Sequence, residues 1–125
     1  MKENVKKPQD IRQRTLQYAL RAVKLYQYLE SGKGGAGKIL GNQFLRSSTS
    51  IGANIREAQA AESRKDFIHK YSIVQKEARE SLYWLELMQA SKIVHGNRLS
   101  PLIKETDELI SIITAIIIKT KKSKK

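Results

Sequence analysis

The segment GKGGAGKI, residues 32–39, is the part of the chain that most resembles a nucleotide-binding motif. A phosphate-binding loop has the pattern G-x-x-x-x-G-K-[ST], in which backbone N–H groups surround the phosphates and the final hydroxyl binds Mg²⁺. Both glycines and the lysine are in register, but Ile39 stands where the hydroxyl is required. The motif must also follow a buried strand, whereas the residues before this segment have the period of an amphipathic helix. The sequence therefore predicts a turn between helices, with Lys33 and Lys38 as candidate contacts to nucleic-acid phosphates.

Residues with catalytic or metal-binding chemistry are few, and they do not form a recognisable pattern. The two histidines, His69 and His95, have no carboxylate or nucleophile at a spacing that would form a catalytic triad. Glu77 and Glu80 are close on one predicted helix, but a di-metal bundle needs Glu-x-x-His motifs on facing helices, and the sequence contains none. The chain has no cysteine, which excludes disulfides and thiolate metal sites. We therefore expect no enzymatic activity, no cofactor and no metal centre.

Positive charge is concentrated in the first half of the chain and at its C-terminus. The 125 residues include 24 Lys and Arg and 12 Asp and Glu, for a formal net charge of +12. Residues 1–56 contain 11 basic and 3 acidic residues, and residues 119–125 contain five lysines and no acid. Such an excess destabilises a compact state through self-repulsion, so it indicates a polyanionic partner. Nucleic acid is the expected partner ahead of an anionic membrane, and a basic surface that serves only solubility is the alternative.

Sequence features of secreted and membrane proteins are not evident. The N-terminal residues 1–10 are charged and precede no apolar segment, unlike a signal peptide. The most apolar run, residues 109–118, has about half the length of roughly 20 residues that a membrane-spanning helix needs. The absence of cysteine fits a reducing compartment. We expect a cytoplasmic protein that does not contact a membrane.

Apolar residues recur at helical spacing along nearly the whole chain. This period predicts four amphipathic helices joined by short connections, an all-α antiparallel up-down-up-down four-helix bundle. Ser63 and Asp66 have the spacing of a capping box at the start of the third helix. Gly96 is expected to end that helix in the left-handed conformation, and Ser100 and Pro101 to begin the fourth. The single domain spans residues 1–125, with helices at 8–31, 37–61, 64–94 and 100–120 and a basic tail at 119–125.

Two faces of the predicted helices need a partner. The first and fourth helices have more apolar surface than one core-facing stripe uses, and we expect another copy of the chain to cover it. Basic residues of the first two helices would form one surface if these helices are adjacent, suited to contacts driven by charge and shape. The candidate nucleic-acid contacts are Arg14, Arg21, Lys24, Lys33, Lys38, Arg46 and Arg56.

The segment FLRSSTSIGANIREAQAAESRKDFIHKYSIVQKEARESLYWLELM, residues 44–88, resembles a known four-helix-bundle family. This family is named for proteins encoded in the intervening sequences of bacterial 23S ribosomal RNA genes, and its fold is also that of the accessory variability determinant of diversity-generating retroelements. The similarity rests on the pattern R-[SA]-x-x-S-[IV]-x-x-N-[IY]-x-E, followed by S-x-x-[DE]-F and then ESLYWLEL. The matching positions are Arg46, Ser50, Ile51, Asn54, Ile55, Glu57, Ser63, Asp66, Phe67 and residues 80–87.

The resemblance implies a bundle that assembles into a barrel-like homopentamer and has no known catalytic activity. In the retroelement branch, the basic barrel binds the reverse transcriptase and nucleic acid. Asn54 and Glu57 are expected to be structural, bridging helices or subunits, and Arg46 to contact a polyanion. The first hypothesis is a non-enzymatic oligomeric accessory protein that binds RNA or DNA, with a retroelement reverse transcriptase as its candidate partner. The alternative is a structural or protein-interaction bundle of the intervening-sequence type that does not bind nucleic acid.

Overall fold

A computed structural model describes residues 10–123, which form four α-helices and no strand. The helices are α1 (Ile11–Glu30), α2 (Gly35–Ala58), α3 (Arg64–Ala90) and α4 (Gly96–Lys122). Helices that follow one another in the chain pack against each other along their length, and α1 also faces α4 with less contact than the other three pairs. The predicted all-α four-helix bundle is confirmed, and the start predicted for the first helix at residue 8 lies outside the described residues.

The glycine-rich segment forms the turn between α1 and α2 together with the first turn of α2. α2 begins at Gly35, two residues before its predicted start. A helix precedes the segment, where a phosphate-binding loop requires a strand. The middle of α2, RSSTSIGAN, is helical although it is poor in helix-forming residues. Ile51 and Ile55 are both fully buried there, so tertiary packing of the apolar stripe outweighs the low local propensity.

α3 ends four residues earlier than predicted, because Lys92 rather than Gly96 adopts the left-handed backbone conformation, with φ of 62°. The N–H group of Lys92 donates to the carbonyl of Gln89 at 3.1 Å, and that of Ile93 donates to the carbonyl of Met88 at 3.3 Å. These two bonds form a Schellman motif, which satisfies carbonyl groups at the end of α3. Glycine is the usual residue at this position, which is why the prediction placed the left-handed residue at Gly96.

The start of α4 also differs from the prediction. His95 is the N-cap and α4 begins at Gly96, so Ser100 and Pro101 lie inside the helix rather than at its N-terminus. The Ser100 hydroxyl donates to the carbonyl of Gly96 at 2.8 Å, one turn back along the helix. Pro101 has no N–H group, so the helical hydrogen bond that this position would otherwise donate is missing.

Apolar side chains from all four helices fill the core. Tyr18 and Phe44 pack edge to face with ring centroids 6.1 Å apart. α1 and α2 approach closely at Gly52, where an added Cβ atom would lie 3.2 Å from the Thr15 hydroxyl oxygen. The largest fully buried apolar side chains are Tyr18, Phe44, Ile51, Ile55, Val74, Leu85, Met88, Leu99, Leu109 and Ile113.

A layer of four polar side chains crosses the middle of this core, one from each helix. The Tyr18 hydroxyl lies 2.5 Å from the Thr106 hydroxyl, and the Ser47 hydroxyl lies 2.8 Å from the Ser81 hydroxyl. Burial raises the pKa of Tyr18 above its ordinary value. The serine and threonine hydroxyls of this layer also donate to carbonyls of their own helices, so the buried Tyr18 hydroxyl is the group that sliding α1 past α4 would leave unsatisfied. We expect this polar layer to fix the register of the helices.

The bundle has two chemically different ends. At the terminal end, where α1 and α3 begin, Asp10 caps α1 and the Ser63 hydroxyl accepts a 3.0 Å bond from the N–H of Asp66, which confirms Ser63 as the predicted N-cap. The return bond of the capping box differs, because the Asp66 carboxylate accepts from the N–H of Glu62 at 3.3 Å. At the glycine-rich end, where α2 and α4 begin, the N-caps Gly34 and His95 make no side-chain capping bond. Partial positive charge at the helix N-termini is therefore balanced by side chains at the terminal end only.

Candidate nucleic-acid interface

Arg14, a predicted nucleic-acid contact, is bound to carboxylates of α4. Its Nε and Nη2 atoms donate to the two carboxylate oxygens of Glu105 at 2.7 and 2.9 Å, and Nη2 also pairs with Glu108. The Glu105 side chain is only 18% exposed. Hydrogen bonding to Glu105 raises the pKa of Arg14, so the guanidinium stays charged. This bidentate pair links α1 to α4 and uses the donors that a phosphate would need.

Arg46 is bound in a similar way on another flank of the bundle. It pairs with Glu80 of α3, and its Nη1 atom lies 3.8 Å from an oxygen of Glu77. Glu80 also accepts a hydrogen bond from the Trp84 indole at 3.1 Å, so the ESLYWLEL segment supplies both the carboxylate that binds Arg46 and a side chain that holds this carboxylate. Arg46 faces α3 whereas Arg14 faces α4, on opposite sides of the α1–α2 pair. The prediction of one basic surface shared by the first two helices is therefore wrong.

Arg21 and Lys24 lie farther along the groove between α1 and α4, where Arg98 approaches from α4. These three cations line a hollow of about 210 Å³ together with Pro101. Within residues 10–123, no carboxylate lies at ion-pair distance from any of the three. We call this part of the groove, lined by Arg21, Lys24 and Arg98, the basic groove. The α1–α4 groove is thus closed by ion pairs at Arg14 and open and cationic beyond it.

Arg98 is a candidate contact that sequence reasoning missed. Its guanidinium carbon lies 4.0 Å from the ring centroid of Tyr28, a cation–π contact between α4 and α1. A second hollow of about 480 Å³ is lined by Tyr28, Arg98, His95 and Asn97. Residues 57–118 are nearly neutral as a whole, so charge counting along the chain does not single out residue 98. Only the antiparallel pairing of α1 and α4 places it beside Lys24.

Lys33 and Lys38 are both exposed at the glycine-rich end. Lys33 lines a hollow of about 380 Å³ at the turn, which Tyr28 and Ile93 also line. Lys38 lies in the first turn of α2, next to the exposed Ile39. These two lysines are therefore at the same end of the bundle as Arg98, although they lie outside the basic groove.

The remaining predicted residues lie near the terminal end. Arg56 lines the groove between α1 and α2 beside Arg12. Asn54 donates to the carbonyl of Ser50 at 2.8 Å within α2, so it does not bridge helices of one chain. Glu57 is exposed and makes no side-chain hydrogen bond or ion pair with the other described residues. A role for Asn54 and Glu57 between subunits stays a prediction.

An apolar stripe on α1 is exposed. Leu16, Leu20 and Val23 follow one another at intervals of four and three residues, so they share one face of the helix, and Leu20 is 54% exposed. On α4, Ile118 is exposed and Ile112 is half-buried. The surplus apolar surface predicted for the first and fourth helices is therefore uncovered in a single chain.

Neither a metal-binding cluster nor a membrane-spanning helix is present in the part of the chain that the structure describes. Between residues 10 and 123, no group of three or more His, Asp and Glu side chains is placed to hold a metal ion. None of the four helices is long and apolar enough to cross a bilayer.

Residues 7–115 match the family model described as 23S rRNA-intervening sequence protein. The match spans most of the chain, so the chain belongs to this family. It is similar to a protein with unknown function from the S23 ribosomal protein family of Bacteroides thetaiotaomicron VPI-5482, whose crystal structure is known at 1.70 Å. The two are 38% identical, with 86% of this chain and 98% of that chain covered and a TM-score of 0.80. Among curated proteins, none matches the chain, and neither description above indicates an enzyme.

Proposed function

We propose that the chain is a non-enzymatic, oligomeric accessory protein that binds RNA or DNA by charge and shape. The basic groove is the observation that carries this proposal. Arg21, Lys24 and Arg98 come from two helices to one hollow, without a carboxylate at ion-pair distance among the described residues. Like charges brought together repel one another, so the arrangement costs stability unless an anion binds there.

The expected contacts are to the phosphate backbone. Lysine and arginine side chains on helices bind phosphates without reading sequence, and they position a protein on its nucleic acid. Lys33 and Lys38 extend the cationic surface from the basic groove around the glycine-rich end. We therefore expect affinity with little sequence preference and a strong dependence on salt.

The oligomer is proposed to form through the apolar stripe on α1. Leu16, Leu20 and Val23 are exposed in the single chain, and the family resemblance implies a barrel-like homopentamer. A closed ring would cover the stripe and repeat the basic groove around the assembly, which raises affinity through multivalency. A native mass spectrum should show an oligomer for the wild type and a monomer for Leu20→Glu with Val23→Glu. Ile39→Glu, at an exposed position on α2, is the matched control, and a monomeric wild type would contradict the proposal.

A retroelement reverse transcriptase is the proposed protein partner, on the family resemblance alone. The gene neighbourhood tests this part of the proposal without a binding experiment. A reverse transcriptase gene beside a pair of near-repeat sequences supports it. A location inside a ribosomal RNA gene contradicts it and favours the intervening-sequence type.

Fluorescence anisotropy with structured RNA and duplex DNA at two salt concentrations tests nucleic-acid binding directly. Each phosphate that a cation neutralises should contribute about −0.9 to the slope of log K against log salt on duplex DNA. The triple variant Arg21→Gln, Lys24→Gln and Arg98→Gln should lose affinity and have a shallower slope. No anisotropy change for the wild type even at low salt would overturn the proposal.

A matched control separates the basic groove from net charge. Lys65→Gln, Lys76→Gln and Arg79→Gln remove the same charge from exposed positions of α3. This control should keep most of the affinity if the groove is the binding surface. Equal losses in the two triple variants would show that only the total charge matters.

A structural or protein-interaction bundle is the second candidate function, favoured by the exposed stripe of Leu16, Leu20 and Val23. An exposed apolar face of this kind suits contact with another protein surface. This candidate predicts that the oligomer forms while neither nucleic acid changes the anisotropy. The same two measurements therefore separate the candidates.

A further inference from the structure

We infer that the second hollow beside Arg98 binds one unpaired nucleotide, so that the protein prefers single-stranded to double-stranded nucleic acid. The inference rests on the proposed function, because it specifies the form of nucleic acid that the basic groove takes. The hollow measures about 480 Å³. Small-molecule sites typically have volumes of about 300–1,000 Å³, so a nucleotide is of suitable size.

The Tyr28–Arg98 pair supplies the stacking surface. The Arg98 guanidinium carbon lies 4.0 Å from the Tyr28 ring centroid, the tyrosine is 44% exposed and Arg98 is exposed. Unpaired bases stack on aromatic rings and on guanidinium planes. The cation–π contact orders the guanidinium before a ligand arrives, which lowers the entropy lost on binding.

The hollow of about 210 Å³ in the basic groove supplies the phosphate contacts. Arg98 lines both hollows, so the two hollows adjoin each other and Arg21 and Lys24 lie next to the stacking surface. A nucleotide has a flat aromatic base joined to an anionic phosphate, and the two adjoining hollows present the complementary chemistry in that arrangement. His95 and Asn97 add groups that can form hydrogen bonds with a base edge.

A base in a duplex cannot use this surface. Its two faces are covered by neighbouring base pairs, so a side chain reaches them only in single strands, loops or flipped nucleotides. Duplex binding would therefore use the phosphate contacts alone, whereas a single strand would use both hollows. An acidic peptide would use the cations but would gain nothing from the ring of Tyr28.

Tyr28→Leu tests the stacking contact without changing charge. We compare the anisotropy of a labelled 15-nucleotide strand with that of the same strand annealed to its complement, at one ionic strength. Single-strand affinity should fall about tenfold while duplex affinity stays unchanged. Tyr83→Leu is the matched control, because Tyr83 is an exposed tyrosine on α3, and it should change neither affinity. Circular dichroism confirms that each variant is folded.

Arg98→Lys tests the guanidinium plane at constant charge. Lysine keeps the positive charge for a phosphate but has no planar group on which a base can stack. Single-strand affinity should fall and duplex affinity should be kept. Arg79→Lys, at an exposed position of α3, is the control for this substitution and should have no effect.

Several results would overturn the inference and leave the proposed function intact. One such result is that the wild type binds both the single strand and the duplex, and Tyr28→Leu weakens neither affinity or weakens both equally. In that case no base stacks on the Tyr28–Arg98 pair. Displacement of the strand by polyglutamate of matched charge with equal affinity shows a general site for acidic chains. If adenosine monophosphate binds as tightly as the strand, the hollow is instead a site for a free nucleotide. Wild-type protein that binds neither nucleic acid at low salt contradicts the proposed function itself.

Discussion

The terminal end and the glycine-rich end of the bundle balance charge differently. At the terminal end, Asp10 caps α1 and accepts from the guanidinium of Arg12, and Arg14 is bound by two carboxylates of α4. At the glycine-rich end, the N-caps Gly34 and His95 make no side-chain capping bond. The basic groove extends from Arg21, in the middle of α1, to Arg98 at that end, and its three cations have no acidic partner at ion-pair distance among the described residues.

This difference shows that net charge alone does not locate a polyanion site. Arg14 and Arg21 are two turns apart on the same helix and both face α4. One is bound to carboxylates and links two helices, whereas the other has no ion-pair partner in residues 10–123. We therefore expect substitutions at the terminal end to change stability and substitutions at the glycine-rich end to change binding.

Arg14→Gln should have the largest effect on stability. The substitution leaves the mostly buried Glu105 carboxylate without its bidentate partner, which should lower the free energy of unfolding by about 2 kcal/mol. Arg21→Gln should cost less than about 0.5 kcal/mol, since Arg21 is exposed and makes no ion pair with the described residues. Urea denaturation measures both values. The comparison fails if Arg21→Gln is as destabilising as Arg14→Gln, or if Arg14→Gln weakens nucleic-acid binding more than Arg21→Gln does.

Tyr18→Phe should reduce the loss of stability at alkaline pH. Burial raises the pKa of Tyr18 above its ordinary value of 10.0, so the folded protein holds this proton more tightly than the unfolded chain. The contribution is fully present below pH 10.0 and is lost as the pH rises above it, by about 1.4 kcal/mol at about pH 11. Urea midpoints at about pH 9 and pH 11 should therefore fall further for the wild type than for Tyr18→Phe. Equal falls of the urea midpoint in the wild type and in Tyr18→Phe would show that burial does not raise the pKa of Tyr18. The Tyr18 hydroxyl lies between the part of the α1–α4 groove closed by the ion pairs of Arg14 and the open basic groove.

Ser63→Ala should destabilise the terminal end by about 1 kcal/mol, because it removes the capping bond to the N–H of Asp66. Gly34→Ser at the other end should stabilise by a few tenths of a kcal/mol, since it adds a cap where none exists. Thermal unfolding measures both changes. A stabilising effect of Ser63→Ala would show that the cap at the terminal end is not used.

Gly35→Ala should stabilise the protein by about 0.5 kcal/mol. Its Cβ atom would contact nothing within 4 Å, and alanine loses less conformational entropy on folding than glycine does. Gly41→Ala should instead be destabilising, because its Cβ atom would lie 2.8 Å from Cδ1 of the buried Leu29. Urea denaturation should give opposite signs for these two variants. The same sign for both would mean that α1 can move away from α2.

The features that were predictable from the sequence are local ones. Helical period identified all four helices, including the low-propensity middle of α2, because a stripe of buried residues such as Ile51 and Ile55 has to stay in phase. The N-cap at Ser63 was predictable because it depends on residues three positions apart. The end of α3 was not, since Lys92 takes a conformation that glycine usually supplies, and this choice is not encoded by residue type.

The candidate site was predicted only in part, for a different reason. Arg21 and Lys24 were recognised as basic residues of the first helix, but the partners of Arg14 and Arg46 come from α4 and α3. Arg98 is not predictable from its own segment, because its importance depends on its neighbours across the groove. Pairing between residues 34 positions apart for Arg46 and Glu80, and 91 positions apart for Arg14 and Glu105, decides which cations are neutralised.

The sequence by itself determined the helices, the bundle class, the excess of positive charge and the absence of a nucleotide-binding loop. Each of these depends on residue type and on spacing over a few turns, which the backbone converts directly into a helix face or a turn. Only the tertiary structure decided which cations are bound to carboxylates and which are open to a ligand. Burial and ion pairing depend on what the neighbouring helices bring to the same groove, and antiparallel packing places Glu105 beside Arg14 and Arg98 beside Tyr28.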